Sequence, residues 1–205
     1  MDFISKKDTT RISRAIKAAE KKTSGEIVAV VAHQSNDYRF IPMLWAALVA
    51  LATPPFVFAL TQLSSVEIYA MQLAVFAAGS FATLWRPLRF ALVPGPVKRA
   101  RAHARAMEQF LSRGLHTTKG RTGVLIFISV AEQYAVVIAD EGIYQKVPSG
   151  IWDDAVLKLT AETARGMPGD GLVEAIRICG DVLAEHFPPD SANKNELPNH
   201  LIVLE

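Results

Sequence analysis

The residues of this chain whose types and spacing could do chemistry are acidic. Asp140 and Glu141 stand before Gly142, Asp153 and Asp154 open a stretch of helical pattern, and Asp170 lies between Gly169 and Gly171. Carboxylates on separate loops that converge on one edge of a sheet supply the hard oxygen ligands that Ca²⁺ or Mg²⁺ prefers. A cation held that way polarises a phosphoryl oxygen. On this reading all five carboxylates, Asp140, Glu141, Asp153, Asp154 and Asp170, are candidate metal ligands. The same residues also have a plainer reading. Asp153 and Asp154 complement a helix N-terminus, and Asp140-Glu141-Gly142 is ordinary turn chemistry, each without a metal.

Other catalytic patterns are missing from the sequence. There is no Gly-x-x-x-x-Gly-Lys-Ser/Thr loop, no Gly-x-Gly-x-x-Gly, no His-Glu-x-x-His and no Gly-x-Ser-x-Gly. His33, His103, His116, His186 and His200 show no metal-ligand spacing. The single cysteine, Cys179, excludes an internal disulfide and a multi-cysteine metal cluster. It falls on a helical pattern with Ile176 and Leu183 and is expected in the core, where a thiol is inert.

The elements that must position these residues surround an uncharged middle. No charged residue occurs between Arg39 and Glu67, or between Glu67 and Arg86. Residues 41–63 and 66–85 each approach the ~20 helical residues that cross a hydrocarbon core. They read as a transmembrane hairpin, with Pro54 and Pro55 predicting a kink or break near Thr53. Tyr38, Trp45 and Trp85 are placed as interfacial aromatics. Hydrophobic residues make up 50% of the 205-residue chain, more than a soluble domain of this size needs. The opening residues lack an apolar run of signal-peptide type, so no cleavable signal is expected.

Orientation follows from the basic residues. Arg86, Arg89, Lys98, Arg99, Arg101 and Arg105 follow the second span, while residues 61–65 carry no positive charge. The positive-inside rule predicts both ends of the hairpin in the cytoplasm of an inner membrane, with the cluster against anionic headgroups. A net charge of +2 and the lack of aromatics among these arginines argue against nucleic acid. The expected partners are the bilayer and a membrane-associated protein.

Taken in order, residues 12–19 give a first helical stripe and residues 27–32, Ile-Val-Ala-Val-Val-Ala, a strand covered on both faces. That strand cannot stand alone, so its partners must lie beyond the hairpin, which interrupts one domain formed by residues 1–38 and 96–189. Pro94-Gly95-Pro96 predicts a helix to about residue 113 with Val97, Ala100, Ala104, Met107 and Phe110 or Leu111 inward. Strands at 122–130 and 134–139 form a hairpin, and residues 143–147 are a candidate edge strand. A helix over 151–164 capped by Ser149, a flexible break at Gly166, Pro168, Gly169 and Gly171, and a last helix over 172–186 complete the pattern. Residues 190–205 read as a tail in which Leu201-Ile202-Val203-Leu204 could dock. The fold class is α/β, a small mixed sheet with helices on both faces, interrupted by the two-helix hairpin.

The stretches Lys21-Lys22-Thr23-Ser24-Gly25-Glu26-Ile27-Val28, Arg121-Thr122-Gly123-Val124-Leu125-Ile126-Phe127-Ile128-Ser129, Ile138-Ala139-Asp140-Glu141-Gly142-Ile143, Gly169-Asp170-Gly171-Leu172 and Asn195-Glu196-Leu197-Pro198 resemble the TPM domain family, and more narrowly its bacterial membrane-protein branch. The resemblance implies an α/β/α sandwich. It also implies Ca²⁺ binding or acid phosphatase activity in some members and assembly of membrane complexes in others, with Asp140, Asp154 and Asp170 as the positions concerned here. Two expectations follow: a membrane-anchored module that binds or assembles a membrane-associated partner or, alternatively, a divalent-metal-dependent acid phosphatase.

Overall fold

The computed structural model describes residues 4–148, 150–189 and 196–204. In chain order the elements are α1 (Lys6–Glu20), β1 (Glu26–Ala32), α2 (Phe40–Leu60), α3 (Ser65–Ala82), α4 (Arg86–Ala91) and α5 (Gly95–Ser112). A 3₁₀ turn (Leu115–Thr117), β2 (Gly123–Ser129), β3 (Tyr134–Ala139), α6 (Glu141–Tyr144), α7 (Asp153–Ala164), α8 (Pro168–His186) and β4 (Ile202–Leu204) follow. The chain divides into two compact units, Met1–Ser35 with Arg99–Glu205, and Asn36–Lys98.

The first unit is built on a four-stranded mixed sheet in the order β3-β2-β1-β4. β1 and β2 run parallel, from Glu26 opposite Gly123 to Ala32 opposite Ser129, and β3 closes antiparallel onto β2. All seven residues of β1 and of β2 are buried, which is why both read as unbroken apolar runs. Alternation of side chains divides them between two cores. Ile27, Ala29, Val31, Val124, Ile126 and Ile128 face α1, α7 and α8. Val28, Val30, Ala32, Leu125 and Phe127 face Ala106 and Phe110 of α5 and Leu115. The result is an α/β/α arrangement of a mixed sheet.

Three local expectations are corrected and one is met. Residues 143–147 add no edge strand: Asp140 caps α6 by accepting the Glu141 N–H at 2.7 Å, and Ile143 turns into the core. The expected break is confined to residues 165–167, where Gly166 takes a φ of 78°, and Pro168, Gly169 and Gly171 form the first turn of the last helix. Pro168 takes an initial helical position, and Gly171 permits close approach to α7, since a Cβ there would lie 3.1 Å from the Leu159 carbonyl oxygen. On α5 the buried stripe is Ala102, Ala106 and Phe110, whereas Ala100, Ala104 and Met107 are exposed. Alanines recur all round this helix, so its periodicity is ambiguous, and the sheet receives the stripe that lets the helix come closest. The segment 201–204 docks: β4 pairs parallel to β1, Val30 with Ile202 through Ala32 with Leu204. Ser149, the expected cap before α7, and residues 190–195 of the tail lie outside the described residues.

In the second unit α2 and α3 pack on one another through a four-residue connection. Ser64 and Glu67 cap α3 reciprocally, the Ser64 N–H donating to Glu67 Oε2 at 2.7 Å. A kink or break was expected near Thr53, and of the two a break is absent, since α2 runs as one helix through Pro54 and Pro55. Each proline removes only its own donor, and the turns on either side hold. Both helices are long and apolar enough to cross a membrane, with mean hydropathy of 2.0 and 1.3. α4 is a further short helix with Pro87 in its first turn, and Tyr38 meets Phe90 edge to face at 5.4 Å between ring centres.

Candidate functional site

The three carboxylates singled out by sequence are engaged separately. Asp140, 4% exposed, caps α6 and pairs through Oδ2 with Arg121 Nε at 2.8 Å. Arg121 adopts a left-handed φ of 54° and also reaches Glu141 at 3.6 Å. Asp170 lies in the first turn of α8 and is bound to Arg11 Nη2 of α1 at 2.6 Å. Asp154 is exposed in the first turn of α7, as is its neighbour Asp153. Among the described residues no group of three or more His, Cys, Asp or Glu side chains is placed to hold a metal ion. Asp140 and Asp170 thus each have an arginine partner of their own, and the three positions do not gather. Loop order alone suggests the grouping, and loop order does not fix distance.

Of the basic residues, Arg86 and Arg89 lie on α4 and Lys98, Arg99, Arg101 and Arg105 on α5. Lys98, Arg101 and Arg105 recur at helical spacing, and Arg105 is tied to Glu108 at 2.7 Å. His103, also on α5, makes a 3.0 Å contact from Nδ1 to the Tyr134 hydroxyl.

Two polar clusters that periodicity does not reveal lie at opposite ends of β1. At its C-terminal end, Ser129 donates to Glu132 Oε2, the Ser35 hydroxyl sits 2.6 Å from that of Ser129, and the Ser35 N–H donates to Glu132 Oε1 at 3.0 Å. Because Ser129 spends its one proton on Glu132, Ser35 must donate to Ser129, so the chain of hydroxyls is oriented. Ser129 and Glu132 are buried. The cluster ties the turn after β2 to the residues where the chain leaves this unit.

The N-terminal end of β1 holds two carboxylates that each accept a backbone N–H, Glu20 and Glu26. Glu20, the last residue of α1, accepts the Ile27 N–H through Oε1 at 3.0 Å. Glu26, 3% exposed, accepts the Glu196 N–H through Oε1 at 3.0 Å and is hydrogen-bonded by the Leu197 backbone as well. Glu20 Oε2 and Glu26 Oε2 are both buried without a hydrogen-bond partner. Burial, reinforced by the Glu26 charge, pushes Glu20 up from 4.5 to about 8. Burial also raises Glu26, against the hydrogen bonds from Glu196 and Leu197. Perturbed carboxylates cluster at functional sites and also occur in structural networks. The nearest sequence signal was a glutamate inside an otherwise apolar, fully covered strand.

A cavity of about 240 Å³ between α7 and the β2–β3 hairpin is lined by Gln133, Tyr134, Thr160 and Thr163. Both threonine hydroxyls donate back to their own helix, Thr160 to the Val156 carbonyl at 2.7 Å and Thr163 to that of Leu159 at 2.6 Å, and so have no proton left to donate into the cavity.

Comparison with family models finds no match, and no curated protein matches the sequence. Among solved structures the chain is similar to the NMR structure of the BA42 protein from the psychrophilic bacterium Bizionia argentinensis, with a TM-score of 0.61 and 22% identity over 98% of this chain and 96% of that one. The likeness is one of fold.

Proposed function

We propose that the protein is a membrane-anchored binding module: α2 and α3 form a hairpin across the inner membrane, and the α/β unit, of TPM type, acts in the cytoplasm on a membrane-associated protein. The observation that carries this reading is the surface of the hairpin. After α2 and α3 have packed together, only 11% and 6% of their most apolar windows are buried, and Phe40, Phe58 and Phe81 remain more than 70% exposed. Soluble monomers rarely leave contiguous apolar patches beyond a few hundred Å² in water. Lipid is the solvent that such a surface fits.

The distribution of charge supports the orientation. Six basic residues follow the hairpin on α4 and α5, while the connection at 61–64 has none. The likeness of the turn and strand motifs to TPM domains supports the module. A binding role, in preference to catalysis, is supported by the separate engagement of Asp140 and Asp170 with Arg121 and Arg11.

The test has two arms. Gln62→Cys in intact cells should react with a membrane-impermeant maleimide, and Lys119→Cys should react only after lysis. Reaction of Lys119→Cys from outside overturns the orientation, and release of the chain by alkaline carbonate overturns the anchor. Crosslinking in cells at native expression, followed by purification in mild detergent, should return a membrane protein in stoichiometric amount. Recovery of the bait alone sinks the binding role.

A further inference from the structure

Residues 196–204 run along the edge of β1 opposite to β2, and they are fastened at two points. At the far end Ile202–Leu204 pairs with Val30–Ala32, and the His33 N–H donates to the Leu204 carbonyl at 3.0 Å. At the near end the fastening is the Glu26 carboxylate, which accepts from Glu196 and Leu197, while Glu196 Oε2 accepts the Lys119 N–H at 3.1 Å. Between these points Leu201 is buried, and Leu197, Ile202 and Leu204 lie against the core that contains Phe127. At the far end the contacts are made by backbone groups, whereas the near fastening is made by an acidic side chain.

We infer that Glu20 and Glu26 hold one proton between them, and that this proton keeps the segment 196–204 seated on β1. Each carboxyl commits one oxygen to backbone N–H groups, Glu20 to Ile27 and Glu26 to Glu196 and Leu197. Each has a second oxygen that is buried and unpartnered. A single proton on one of those oxygens removes one of two buried charges. The charges that act on the pair come from α1, β1 and the segment itself, and all are carboxylates: Glu26 on Glu20, and Glu196 on Glu26. Loss of the proton places two like charges where water is excluded, and the exposed Glu196 carboxylate opposes the charge on Glu26 as well.

One member of this arrangement can yield. α1 and β1 are held by the core through Ile12, Ile16, Ile27 and Ala29. The segment rests on a three-residue strand at a sheet edge, the kind of element that opens at low free-energy cost. Ionisation of both carboxyls therefore lifts the segment and uncovers the β1 edge, and reprotonation returns it. The inference goes beyond the binding role and stands without it.

Val203 is 57% exposed and takes a label without disturbing the docking, while Cys179 is completely buried and leaves the label a single site. A nitroxide on Val203→Cys in the full-length protein in detergent micelles should give an immobilised spectrum at pH 5.5. A mobile component should grow in with a midpoint near pH 8, where Glu20 loses its proton. In Glu20→Gln, and separately in Glu26→Gln, one orphan oxygen becomes an amide and the mobile component should stay below a tenth of the parent's up to pH 9.5. A parent spectrum that does not change between pH 5.5 and 9.5 overturns the inference. So does a transition with the parent midpoint in either variant, and if one variant fails to fold the other decides.

Discussion

Gly180 on α8 faces Ala19 on α1 so closely that a Cβ built on the glycine would lie 2.6 Å from the alanine methyl. Neither partner is a flexible side-chain tip, so the helices must separate to admit another carbon. Overpacking of this kind costs ~1–3 kcal/mol. Gly180→Ala should therefore lower the denaturant midpoint of the α/β unit, followed by circular dichroism in micelles. Ala19→Gly in the same chain should recover part of the loss. Equal midpoints for parent and Gly180→Ala would show that the two helices do not meet as described.

Cys179 lies on the same helix, completely buried, and burial pushes its thiol up out of the range in which thiolate forms. The native protein should resist a thiol-specific reagent at pH 8, with labelling at least 100-fold slower than after addition of denaturant. Fast native labelling would place the thiol at the surface.

Much of this core was legible in the sequence because its signals are local. Ile12, Ile16 and Ala19 mark one face of α1 by spacing alone, and the β-branched runs of β1 and β2 announce strands covered on both sides. The hairpin was legible because missing charge over two long stretches needs no tertiary knowledge. What was not legible depends on chain segments meeting at long range. Glu26 and Glu196 are separated by 170 residues, and nothing in either neighbourhood names the other. The apolar run 201–204 advertises docking but not its register on β1. Asp140, Asp154 and Asp170 share a loop-like context, yet context does not set the distances between loops, and the arginines at 11 and 121 take two of the three.

That separation gives a prediction for the carboxylates. Asp140 is buried, caps α6 and faces Arg121, whereas Asp154 and Asp170 are exposed. Asp140→Ala removes a cap worth ~0.5–2 kcal/mol and leaves Arg121 without its closer partner. It should lower the unfolding midpoint by more than Asp154→Ala or Asp170→Ala. In none of the three should millimolar Ca²⁺ or Mg²⁺ change its difference from the parent. Three variants that lose a common Ca²⁺-dependent stabilisation would mean that their carboxylates act on one ion.

The Ser35, Ser129 and Glu132 cluster should behave as one unit. Glu132→Ala strips a buried hydroxyl and a backbone N–H of their acceptor, at ~1–3 kcal/mol for each group left unsatisfied. Ser129→Ala removes the donor to Glu132 and the acceptor for Ser35 together. A double-mutant cycle between Ser129→Ala and Glu132→Ala should give a coupling of ~0.5–3 kcal/mol, and strictly additive losses would mean that the hydroxyl chain carries no shared energy.

The carboxyl pair at the other end of β1 sets how stability depends on pH. Glu20 binds its proton more tightly in the folded chain, where burial holds it near 8, than in the unfolded chain, where its value is 4.5. Below pH 4.5 both states are protonated and its stabilising contribution is complete. Between 4.5 and about 8 the unfolded chain releases a proton that the folded chain keeps, so stability contributed by this residue falls steadily as pH rises. Above 8 that contribution is gone. Glu20→Gln retains an oxygen that can accept the Ile27 N–H and has no proton to lose. Its melting temperature should match the parent's at pH 4.5 and exceed it at pH 9, by ~2–4 °C for each kcal/mol by which ionisation weakens the parent. The difference should open in that window and nowhere else. A parent whose stability rises from pH 5 to pH 8 relative to Glu20→Gln would mean that the side chain is ionised in the folded protein and reaches a cation or solvent that the buried orphan oxygens do not suggest.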